Sequence, residues 1–124
     1  MNDALVNMLC SINFWIKVLP MEFKSGYLVR VLQIFTAYWR DKGLAELVVA
    51  TSFKPPMRLP IFKAMLGVTP ESEFQRILKA MCSEGLITLI DEWVYPGHRT
   101  VEALNKIISA IKNAYSIKLK QAID

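Results

Sequence analysis

Apolar residues recur at helical spacing along most of the chain, and the breaks between these stretches fall on proline and glycine. From Asp3 to Val18 apolar side chains occupy most of a helix circumference, and Pro20 stops the run. A helix that is apolar on several sides must be covered on several sides, so this segment either lies across the domain or packs against a second subunit. A second helix starts at Ser25, a good N-cap, and ends before Gly43. Its apolar face carries Leu28, Val31, Leu32, Phe35, Tyr38 and Trp39, with Arg30, Gln33 and Arg40 turned the other way. Leu44 to Phe53 forms a short apolar helix that cannot continue into Lys54-Pro55-Pro56.

The spacing changes after these prolines. Met57 to Leu59 is a short extended piece, and Pro60 takes the favourable first position of a helix from Ile61 to Leu66, closed by Gly67. Thr69 is the N-cap of the next helix, with Pro70 at its first position and Ser72 as the capping alternative. Phe74, Ile77, Leu78 and Met81 form its buried stripe, and Gly85 ends it. Leu86 to Ile90 and Trp93 to Tyr95 make a small hairpin around Asp91-Glu92. A last helix starts after Thr100, with a seam of Val101, Leu104, Ile108, Ile111 and Tyr115. Lys118 breaks the seam, so no long coiled coil follows, and Lys106, Lys112, Lys118 and Lys120 form the wet side of this helix.

Composition sets the class. A chain of 124 residues, 53% hydrophobic and 21% charged, has the makings of one packed domain rather than a disordered tail. Its parts are an N-terminal helical extension (1–43), a core (44–97) and a C-terminal helix (98–124). A mean hydropathy of +0.29 is high for so small a chain, and the excess apolar surface predicts a homodimer joined through the N- and C-terminal helices. No stretch has the roughly 18 uninterrupted apolar residues of a membrane span. The N-terminal run lacks a basic start and a cleavage site, which predicts a cytoplasmic protein without membrane contact. Cys10 and Cys82 have no metal-ligand spacing and read as small buried thiols.

Chemistry is sparse. His98 is the sole histidine, and no phosphate loop, paired-cysteine motif or catalytic carboxylate pair accompanies it. The expectation is a binding protein, with no enzyme activity, metal or cofactor. A net charge of +4 and a pI of about 9.2 are compatible with an anionic partner such as nucleic acid.

Residues 44–97 run helix, short strand, helix, glycine turn, helix, glycine, hairpin. The stretches 61–72 and 74–87 resemble winged helix-turn-helix regulators of the MarR, ArsR and PadR type. In those families a short helix ends in Leu-Gly, as at Leu66-Gly67. A Ser or Thr caps the recognition helix, and a step like Gly85-Leu86-Ile87 leads into the wing. The resemblance implies a mainly α fold: a winged helix-turn-helix core with a small β-hairpin wing, flanked by N-terminal helices and a long C-terminal helix. It implies a dimeric transcriptional regulator reading duplex DNA with the helix 70–84 and the wing 86–97.

On such a helix Gln75 and Arg76 suit base edges, Lys79 suits a phosphate and Ser72 suits either. Arg58 and Lys63 lie near the preceding helix, as does Lys54, and His98 and Arg99 follow the wing as backbone contacts. Glu71 and Glu73 favour the helix N-terminus but repel phosphates, as do Asp91 and Glu92 at the wing tip. That charge pattern also fits a winged-helix module binding protein in a replication or nucleoprotein assembly. Among the aromatic residues, Phe14, Trp15, Tyr38 and Trp39 read as core, whereas Trp93 and Tyr95 share one side of the hairpin and could stack on single strands.

Overall fold

A computed structural model of the chain describes residues 3–16 and 26–123, with side chains at most positions between 7 and 114. The first helical stretch is two helices, α1 (Asp3–Cys10) and α2 (Ile12–Ile16), rather than one. Ser11 separates them. Its hydroxyl donates to the Asn7 carbonyl at 2.8 Å beside its own N–H at 2.9 Å. Val18, Pro20 and Ser25 lie outside the described residues, as does the side chain of Trp15.

The helix α3 (Leu28–Asp41) runs through the centre and packs against α1, α2, α4 (Ala45–Ala50) and α5 (Leu59–Leu66), and against α7 (His98–Ile123). That is why its buried face is wider than one stripe. It includes Ile34 and Thr36 beside the expected Leu28, Val31, Leu32, Phe35 and Trp39, while Tyr38 is half-buried. Thr36 is satisfied by donating to the Leu32 carbonyl at 2.7 Å. The Trp39 indole N–H donates to the Pro55 carbonyl at 2.8 Å, tying α3 to the loop after α4.

The helix α4 ends at Ala50, three residues before the expected Phe53. Thr51 is already extended, and its hydroxyl donates to the Leu47 carbonyl at 2.7 Å. Lys54 then turns inward. It is buried rather than solvated, and its ammonium donates to the carbonyls of Val48 and Thr51.

β1 (Met57–Arg58), β2 (Ile87–Ile90) and β3 (Trp93–Pro96) form an antiparallel sheet in the order β1-β3-β2. The register pairs Met57 with Val94, Leu89 with Val94 and Ile90 with Trp93. Met57, Ile87 and Val94 face the core. Between the last two strands Asp91 adopts φ 55, a left-handed conformation that Asp tolerates better than most residues.

The helix α7 starts at His98, earlier than expected, and buries Thr100, Ala103, Leu104, Ile107 and Ile108. Val101 and Ile111 are half-buried, whereas the side chains of Tyr115 and Lys118 lie outside those described. Buried Thr100 donates to the Leu86 carbonyl at 2.7 Å. Thr100→Val keeps the shape but removes the donor. It is expected to cost about 1 kcal/mol in urea unfolding, and an unchanged midpoint would show that the bond contributes nothing.

The protein is thus mainly helical with a small three-stranded antiparallel sheet. Among the described residues no helix is long and apolar enough to cross a membrane. The expectation of buried thiols fails for Cys10, which is exposed, and holds only halfway for Cys82. Phe14, expected in the core, is 63% exposed. It sits on α2, a five-residue helix whose Ile12 and Ile16 supply the buried side.

Candidate nucleic-acid interface

The helix α5 begins with Pro60 in its first turn and ends at Gly67, whose φ of 77 lies in the left-handed region where glycine is favoured. The chain then enters α6 (Glu71–Ser83) through Pro70. Pro70, not Thr69, occupies the N-cap, and no side-chain oxygen caps this end. Glu71 and Glu73 in the first turn compensate by placing negative charge near the unpaired N–H groups.

Phe74, Ile77, Leu78 and Met81 fix α6 to the core by one stripe. At 100° per residue the opposite face centres on Ser72, Arg76, Lys79 and Ser83, and all four are exposed. Gln75 and Cys82 turn toward the hairpin, where with Leu78, Lys79, Ser83 and Leu89 they line a groove. Arg76 lies near Tyr27, just before α3.

The cations of this region are mostly taken. Lys63 forms an ion pair with Glu71, and its ammonium stands 5.2 Å from the centroid of the Phe74 ring. Gln75 donates to Glu71 at 3.0 Å. Arg76 donates to Glu73 through Nε at 3.1 Å and again through Nη2. The Lys63 bond, helped by Gln75, holds the Glu71 carboxyl below its usual range. Arg76 does the same for Glu73, and the Glu73 bond in turn raises Arg76 above its ordinary value. Lys79 differs: among the described residues no carboxylate lies within ion-pair distance of it.

The remaining expected contacts are dispersed. Arg58 sits on the outer face of the sheet, its guanidinium 4.6 Å from the Trp93 ring centroid, as the cross-strand pairing of these two residues dictates. Trp93 and Tyr95 do share that face, Trp93 exposed and Tyr95 half-buried. His98 is exposed, with its ring against Gly85. Arg99 is half-buried and closes the C-terminal end of α6, donating from its side chain to Glu84 O at 3.2 Å and from its backbone to Gly85 O at 3.1 Å. Lys54 is committed to α4 and is not a phosphate contact. Ser72, Gln75, Arg76 and Lys79 therefore share α6, Lys63 joins them through Glu71, and Arg58, His98 and Arg99 stand apart.

Residues 44–97 hold five basic and six acidic side chains, so the positive charge of the chain resides in the flanking segments. Beside this near-neutral surface the hairpin exposes Leu89, Ile90 and Trp93. No family model, no curated protein and no solved structure matches this chain.

Proposed function

We propose that residues 44–97 are a winged helix-turn-helix module that binds duplex DNA through α6, in a cytoplasmic, non-enzymatic regulator. The observation that carries this reading is the α5–Gly67–α6 step. It holds α6 by a single stripe and leaves Ser72, Arg76, Lys79 and Ser83 facing outward. The element order and the β1-β3-β2 sheet agree with the same plan. Gln75 flanks this face, and the carboxylate partners of Gln75 and Arg76 are exposed, so water screens these bonds and a base edge or phosphate can replace them.

The charge balance sets the kind of binding. With Arg58, Lys63, Arg76 and Lys79 as the available cations, a module neutralises at most about four phosphates, giving a log–log salt slope no steeper than roughly −4. The test is titration of random-sequence duplex DNA at about 50 and about 200 mM salt. Wild type is expected to bind more weakly at the higher salt. Arg76→Ala/Lys79→Ala is expected to lose about tenfold or more at low salt, and Glu71→Gln/Glu73→Gln to bind more tightly than wild type. If none of the three proteins binds at low salt, the DNA reading fails.

A second reading, a protein-binding winged helix, is favoured by the acidic excess of the module and by exposed Leu89, Ile90 and Trp93. Failure of DNA binding in the glutamine variant would make it the leading account, because that variant has lost the repelling carboxylates of α6.

A further inference from the structure

β3 lies between the other two strands, so among the described residues no strand faces the outer edge of β2. The two-residue tip makes Ile90 and Trp93 the hydrogen-bonded pair next to the turn. Alternation then turns the backbone groups of Thr88 toward β3 and those of Leu89 toward the open edge. Among the described residues no backbone bond from a loop or helix reaches Leu89. Between this edge and α6 runs the groove of about 550 Å³ lined by Leu78, Cys82 and Leu89, with Gln75, Lys79 and Ser83 at its polar rim. Leu89 is 36% and Ile90 53% exposed.

Charge is divided along this edge. Lys79 stands at the groove, and Asp91 and Glu92 stand exposed at the hairpin tip. None of the three has an ion-pair partner among the described residues. An open apolar edge with a cation on its flank and two carboxylates at its end is complementary to itself. Antiparallel pairing reverses direction, so the tip of each strand runs toward the groove of the other.

We propose that the free edge of β2 is a self-association surface on which two copies of this chain pair antiparallel, each setting its Asp91–Glu92 tip near the other's Lys79. A second copy fits better than a polyanion, which the tip carboxylates repel, or a foreign strand, which leaves them uncompensated. Two four-residue edges cover far less than the roughly 1,200–2,000 Å² of a stable interface, so the association is weak and depends on concentration. Lys79 also belongs to the DNA face proposed above. On that reading pairing and DNA binding compete, although the pairing itself does not depend on DNA.

The test is sedimentation equilibrium of the full chain without DNA, from about 10 µM to about 1 mM at low salt. The mass is expected to rise from 14.2 kDa toward about twice that value. Leu89→Lys, which places a charge on the edge, is expected to stay monomeric with its circular dichroism melt unchanged, since Leu89 is exposed. Lys79→Glu is expected to weaken association roughly 3- to 10-fold, and adding Glu92→Lys to restore it. A wild type that stays at 14.2 kDa throughout overturns the proposal. So does a Leu89→Lys variant that associates like wild type, which would move any dimer contact to the terminal helices.

Discussion

Gly97→Ala is expected to destabilise the protein by about 3 kcal/mol or more, lowering the melting temperature by roughly 10 °C or more. A Cβ at this position would lie 2.2 Å from the carbonyl oxygen of Gly85 and 2.7 Å from the carbonyl carbons of Gly85 and Leu86. These are backbone atoms, which cannot rotate aside as a side chain can. The same crossing is fastened by the Gly97 N–H donating to Leu86 O at 2.8 Å and by the Arg99 N–H donating to Gly85 O at 3.1 Å. Relief of the clash would therefore break bonds as well as move chain.

Two links meet here, α6 to β2 and β3 to α7, so their contact fixes how α6 lies relative to the hairpin. Gly67→Ala makes the contrast. Gly67, unlike Gly97, has positive φ, but among the described residues nothing lies within 4 Å of the added methyl, so only the conformational cost of about 1–2 kcal/mol applies. Urea unfolding of the two variants ranks them. A Gly97→Ala protein no less stable than Gly67→Ala would mean that the two links do not touch.

The central module was legible because its signals are local. The stripe of Phe74, Ile77, Leu78 and Met81 follows from helical period, and the closures at Gly67 and Gly85 follow from left-handed φ. Met57–Arg58 was legible as an extended piece, but the place of Arg58 beside Trp93 depends on strand pairing, which no period reveals. Likewise Lys54 reaches back six residues to Val48 and Arg99 back fifteen to Glu84. A long cation that caps a distant helix end has the same sequence appearance as a solvated one.

The break at Ser11 has no local signal, since a hydroxyl bonded to the carbonyl four residues back also occurs inside the unbroken helix α3, at Thr36. Within the candidate site, the Glu71–Gln75 and Glu73–Arg76 bonds lie at spacings of four and three, where helix geometry brings side chains together. The partial occupation of Gln75 and Arg76 was therefore readable from the sequence. The Lys63–Glu71 pair was not, because it depends on the angle between α5 and α6.

Lys54→Met is expected to lower stability by about 2 kcal/mol at pH 7 and to remove a pH dependence at alkaline pH. The buried ammonium supplies donors to the carbonyls of Val48 and Thr51 at the end of α4, and Lys112 of α7 donates to Val49 O at 3.2 Å beside it. Methionine fills similar space but leaves the Lys54 acceptors without that donor, a cost of about 1–3 kcal/mol for a buried group. Relief of ammonium burial offsets part of it.

That burial, reinforced by the charge of Lys112, pushes Lys54 below the ordinary lysine value of 10.5. Between its folded pKa and 10.5 the unfolded chain therefore holds more of this proton than the native state, and wild-type stability gains with rising pH across that window. Other groups titrate there too, so the readable quantity is the difference between wild type and Lys54→Met in urea unfolding at neutral and alkaline pH. The wild-type advantage at pH 7 should change in favour of wild type as pH rises, because only wild type relieves a buried charge. A difference independent of pH would mean that Lys54 is effectively solvated.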